Sequence, residues 1–167
     1  MLGIMRVFIA GFTFSLFTVA LFAQQSSTSL QTFASSADVT ALIAKAKAER
    51  KEGQANVIEK ILQFAPYSAN LEYRPIAGSA SVHEKEAEMM YVIDGSGTLV
   101  TGGKLVGETR TNATNLSGTA IQGGEARKVS KGDFIVVPEG TPHQIAAVDG
   151  ALVLMTIKVP RGGAGAP

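Results

Sequence analysis

The chain of 167 residues has no cysteine, no tryptophan and only two histidines, His83 and His143. Without cysteine there is no disulfide to brace an exported domain, so the core alone must hold the fold. There is also no thiolate for covalent chemistry or for a sulfur-ligated metal. Any metal must be held by imidazole and carboxylate, a donor set that favours Mn, Fe, Ni or Zn. An excess of charge of one sign is missing too: 15 Lys and Arg stand against 14 Asp and Glu, a net charge of +1. That balance leaves no basic footprint, so nucleic acid is not an expected partner. Glycine, in contrast, is plentiful at 18. Many glycines among short apolar runs suit an all-β domain rich in turns.

The one long apolar run lies at the N-terminus. Residues 1–6 carry a single basic side chain, residues 7–22 are apolar with only Gly, Thr and Ser between, and polarity rises at Gln24. This order reads as a secretory signal peptide over residues 1–23, cleaved after Ala23 or Ala20. The run is shorter than the roughly 20 residues a spanning helix needs. The mature protein is therefore expected to be exported, periplasmic or secreted, with no stable membrane insertion after cleavage.

Residues 24–53 read as a polar linker followed by one helix. Ser35 and Asp38 have capping-box spacing, and Val39, Leu42, Ile43 and Ala46 recur on one helical stripe. Gly53 is a natural stop. The texture then becomes β-like. Residues 57–64 fit either strand or helix, and residues 69–74 alternate as a strand. Residues 79–83 and 88–93 read as neighbouring strands, with a turn at Asp94-Gly95-Ser96-Gly97. Residues 144–148 and 151–159 read as a hairpin about Asp149-Gly150. Residues 103–124 are polar and turn-prone, the pattern of a long loop. They contain the sequons at Asn112 and Asn115, which matter only in a eukaryotic source. Residues 161–167 are expected to be a disordered tail.

Chemistry concentrates in two segments. Gly132, Pro138, Gly140 and His143 have the spacing G-x5-P-x-G-x2-H, and His83 and Glu88 precede Gly95 with six residues between Glu88 and that glycine. Two imidazoles and a carboxylate can supply three ligands to a divalent ion. These two segments resemble the signature motifs of the cupin superfamily, over roughly residues 56–160. They depart from it at three positions. Ser81 stands where the first motif has its first histidine, Pro75 where it has its opening glycine, and Ala147 where the second motif ends in asparagine.

The resemblance implies an all-β fold, a double-stranded β-helix of the jelly-roll type over residues 54–160, preceded by the helix. The helix is expected to cover one barrel face, with a homodimer contact as its alternative role. The resemblance also implies a metal held by three histidines and a glutamate. Here the expected set is His83, Glu88 and His143, with one coordination place left open at Ser81. Strand parity adds Met90 and Ala147 to the expected pocket. Glu86 is a reserve ligand, and Arg74 is a candidate on its own alternating strand. No catalytic residue is assigned. The expected function is an exported metal-binding cupin acting on a small molecule, with oxygenase- or isomerase-type chemistry. The alternative is a non-catalytic module that binds a sugar or another small ligand.

Overall fold

The computed structural model describes residues 31–160. The expected signal peptide, the start of the linker and the C-terminal tail lie outside the described residues. The first element is α1 (Ser36–Glu49). It starts at the capping box: the Ser35 hydroxyl accepts from the Asp38 amide at 3.2 Å, and the Asp38 carboxylate accepts from the Ser35 amide at 2.8 Å. These two bonds satisfy backbone groups that a helix start leaves unpaired. Eleven strands follow: β1 (Val57–Phe64), β2 (Tyr67–Arg74), β3 (Ala80–His83), β4 (Glu86–Thr101), β5 (Lys104–Val106), β6 (Thr109–Arg110), β7 (Asn115–Gly118), β8 (Ala120–Gln122), β9 (Glu125–Ser130), β10 (Phe134–Val137) and β11 (His143–Pro160). The ambiguous segment 57–64 is thus a strand, paired antiparallel with β2.

The fold is organised by one long antiparallel ladder. β4 and β11 pair from Glu86 opposite Pro160 to Thr101 opposite His143. The first half of β4 also pairs with β10, and the second half of β11 with β2, which in turn pairs with β1. The second half of β4 pairs with β9, and the start of β11 with β3, which carries β7 and then β6. The two halves of the ladder therefore form two arms of one nine-stranded sheet. Their inner faces pack together, Met90, Val92, Leu152 and Leu154 from one half against Leu99, Val129 and Ile145 from the other. This is the jelly-roll arrangement of a double-stranded β-helix.

Two expected turns are bends instead. Asp94–Gly97 does not end a strand, and Asp149-Gly150 does not close a hairpin; β4 and β11 run on through both. The two stretches lie opposite each other, and the register shifts between Asp149 and Leu152. Gly95 has φ +81°, and a Cβ there would fall 1.8 Å from the Ala151 carbonyl oxygen. Turn-prone residues that keep a cross-strand partner bend the ribbon rather than reverse it. The glycine lets the two chains approach closely where the ladder folds over.

Residues 103–124 differ from the expected loop. They contain β7, which extends the sheet beyond β3, and β5 and β8, which form a small sheet of their own. Outside the jelly roll, the α1 stripe of Val39, Leu42, Ile43 and Ala46 packs on Val57, Ile61, Ala69, Leu71 and Val153. Lys45 of α1 reaches Glu59 of β1 at 2.8 Å. The helix covers the chain's own sheet with its apolar face. Among the described residues no helix is long and apolar enough to cross a membrane.

Candidate metal centre

Folded over at its middle, the ladder has a bent end and a free end where its two termini meet, and the histidines lie at the free end. His143 is the first residue of β11 and His83 the last of β3. In β3, Ala80 and Val82 are buried on one face, so Ser81 and His83 take the other. In β4, Glu88 takes the inner face with Met90 and Val92. The turn between β10 and β11 fixes the relation of the two motifs: the Gly140 amide, in a residue with φ +69°, donates to the His83 carbonyl oxygen at 2.7 Å.

The side chains converge. His143 Nε2 lies 3.0 Å and His83 Nε2 3.5 Å from Glu88 Oε2. The ring centroids are 5.2 Å apart. One donor atom from each of the three residues lies within 4.8 Å of the others. The remaining ring nitrogens are engaged on the outside. His143 Nδ1 is 3.2 Å from the Thr141 carbonyl oxygen, and His83 Nδ1 is 2.8 Å from Asn115 Oδ1. A carbonyl oxygen can only accept, so each Nδ1 is the donor, and in the neutral ring each Nε2 turns a lone pair inward. Three acceptors then meet at one point, in side chains 6–15% exposed. Such a group is stable only with a cation or a proton between its members. Imidazole fixed from behind by an acceptor is also the usual condition of a metal-ligating histidine. The donor set fits a divalent ion at the roughly 2.0–2.2 Å of metal–nitrogen and metal–carboxylate bonds.

A fourth group, not anticipated from the sequence, enters the same space. Lys158 lies directly opposite Glu88 in the ladder. Its Nζ is 2.5 Å from His83 Nε2 and 3.7 Å from Glu88 Oε1. The signal was present in the alternation of Leu152, Leu154, Thr156 and Lys158, which places the lysine on the face of the buried leucines. Asn115 was likewise read only as part of a sequon. It lies opposite His83 in the β3–β7 ladder, and its side-chain oxygen meets the ring.

The electrostatics follow from these contacts. Burial alone pushes the Glu88 pKa up. Nε2 of His143 and of His83 donates to the carboxylate when the ring is protonated, and these bonds, with the Lys158 charge, more than offset burial and hold the carboxyl well below its ordinary range. Burial pushes the His83 pKa down, but Glu88 and Asn115 outweigh it and the net displacement is upward. That pull and the Lys158 ammonium compete for one lone pair: a proton can join Nε2 only if Lys158 withdraws.

The other expected residues divide. Ser81 pairs with His143 across β3 and β11 and shares its face, beside the cluster. Met90 is 5% exposed and follows Glu88 on the inner wall. Glu86 shares that face, but it sits opposite Pro160 where β4 begins and is outside the three-residue group. Glu84, next to His83 in the chain, is not one of the expected residues and pairs with Arg110 at 2.7 Å. Two expectations need correction. Ala147 is exposed, because the register shift between Ile145 and Ala147 reverses the parity of β11 there. Arg74 lies opposite Leu152, toward the bend, and pairs with Glu72 at 2.7 Å. Glu72 is itself buried and accepts from Asn56 at 3.0 Å and Thr156 at 3.2 Å. Arg74 is part of a structural ion pair away from the histidines.

A jelly roll with two histidines and a glutamate gathered from three strands at one end defines a small double-stranded β-helix protein with a candidate metal centre. The family model described as cupin matches residues 78–163, and the chain belongs to the cupin family. Solved structures of the same fold include a Bacillus halodurans protein, 14% identical, covering 82% of this chain and 87% of its own, with a TM-score of 0.50. A Thermus thermophilus protein is 17% identical over 70% of this chain and 93% of its own, TM-score 0.49. A cupin protein of Bacteroides fragilis is 15% identical over 71% and 89%, TM-score 0.45. At these identities the likeness is one of fold. No curated protein matches the sequence.

Proposed function

We propose that the protein is an exported cupin that binds one divalent metal through His83, Glu88 and His143 and acts on a small molecule. The observation that carries this reading is the convergence of three acceptors whose outer nitrogens are both held from behind. When bound, the metal would supply Lewis-acid or oxygen-binding chemistry of the oxygenase or isomerase type. The chain's own part is to orient the two rings through Asn115 and Thr141 and to keep Glu88 ionised. Met90 and Val92 supply an apolar wall beside the group. Ser81 leaves one side of the site without a strong protein ligand, room for a substrate atom or water.

A second reading, a non-catalytic small-ligand or sugar-binding module, is favoured by one observation: Lys158 already supplies a positive charge to Glu88. Elemental analysis of untagged protein from its native compartment separates the two. The first reading expects about one Mn, Fe, Ni or Zn per chain, absent from His143→Ala. Metal at trace level in the parent, with the fold intact, contradicts it. Mass spectrometry of the exported protein should begin at Gln24 or Leu21; an intact Met1 on mature protein contradicts export by cleavage.

A further inference from the structure

We propose that Lys158 is a built-in competitor of the metal, a side-chain cation that holds the place of the absent fourth ligand and must be displaced before a divalent ion can enter. This rests on the metal reading of His83, Glu88 and His143, and it adds the residue that sets how readily that site fills.

Three observations carry it. Lys158 is the ladder partner of Glu88, so its inward direction is fixed by strand register rather than by a flexible loop. Its Nζ donates to His83 Nε2 at 2.5 Å, the nitrogen whose other side is tied to Asn115. It also stands 3.7 Å from Glu88 Oε1. These are two of the three groups a metal would use. One nitrogen lone pair cannot serve an ammonium and a metal ion together, so occupation is mutually exclusive by stereochemistry as well as by charge. Ser81, on the strand beside His143, is short and offers no imidazole in its place.

The arrangement has two consequences. Without metal, the buried carboxylate still has a partner, so the protein folds with the site metal-free. With metal, the side chain of Lys158 has to leave, and at 31% exposed it has a route to solvent. Loading is then a contest that the metal wins only when it is abundant or binds imidazole strongly.

The test compares parent, Lys158→Met, Lys158→Gln and Lys158→Arg protein, titrated with Zn2+ and with Mn2+ in a non-chelating buffer at fixed pH, with melting curves taken before and after metal. Removing the charge should tighten metal binding by about tenfold or more, from the loss of one nearby like charge. The same variants should melt lower than the parent when metal-free and gain more from metal than the parent does. Lys158→Arg should melt like the parent and bind metal no more tightly. A lysine with a merely structural role gives the lower melting point without the gain in affinity, and that result overturns the inference. Should both neutral variants fail to fold, the parent alone decides: the Lys158 ammonium signal in nitrogen-15 spectra should shift on adding Zn2+, and an unchanged signal at saturation overturns it. If the parent and its variants bind equally while His143→Ala does not bind, the metal reading stands and this inference falls. If none binds, both fall.

Discussion

The bent end of the folded β4–β11 ladder and the free end where its termini meet are made from the same strands and the same alternation, yet they differ in chemistry. Toward the bend the inward residues are Val92, Leu99, Ile145, Leu152 and Leu154, all at most 4% exposed. Toward the free end the inward series turns polar, from Leu154 through Thr156 to Lys158 on β11 and from Val92 through Met90 to Glu88 on β4. Burial of apolar area stabilises the first end at roughly 25 cal/mol per Å². The second end buries charged and hydrogen-bonding groups, which contribute little to stability unless every partner is present. Stability and chemistry are thus separated along one ribbon, which lets each end change without the other.

That separation can be broken at either end. The largest expected effect is Leu154→Ala, which should lower unfolding free energy by about 2–5 kcal/mol, read by denaturant titration, with metal content per folded chain unchanged. His143→Ala should do the reverse, abolishing metal binding while leaving the unfolding midpoint in metal-free buffer much closer to the parent. If the two variants exchange these signatures, the division is wrong. Asn115→Ala removes the acceptor behind His83 and should weaken metal affinity about 10–100-fold, with Asn115→Asp restoring most of it. Equal affinity in all three proteins would show that the ring needs no support from β7.

The pH dependence sharpens the comparison. His83 has a raised pKa, and a proton on Nε2 excludes the metal, so affinity should decline as pH falls through the neutral range, beginning above the ordinary 6.5. Glu88 has a depressed pKa, so the stability it contributes is present above the ordinary 4.5 and is lost only as pH falls below it toward the native value. Glu88→Gln should flatten that acid limb in an unfolding series, whereas a variant at the bend should leave its shape intact. The smallest expected effect is Ala147→Asn, which restores the asparagine of the family motif. Because residue 147 faces outward after the bulge, metal affinity should change by less than about twofold.

The sequence spoke unevenly about these features. His83, Glu88 and His143 were legible because turn residues fix their spacing, and the Gly140 amide bonded to the His83 carbonyl is the structural reason that spacing recurs. The helix was legible because its cap and stripe are local. Lys158, Asn115 and Ala147 depend on long-range register. Lys158 becomes a site residue only when β11 is seen to pass through Asp149-Gly150 without reversing. Asn115 becomes one only when a polar, turn-prone insert supplies a strand to β3. Ala147 was misread because a one-residue bulge reverses parity, and no local pattern announces it.

The central claim is that His83, Glu88 and His143 together hold one divalent ion. X-ray absorption of the Zn2+-loaded protein tests it most directly. The account predicts two imidazole nitrogens and a carboxylate oxygen at about 2.0–2.2 Å, with the imidazole contribution lost in His143→Ala because the ion leaves. A spectrum without imidazole scattering, or one unchanged by that substitution, would contradict it.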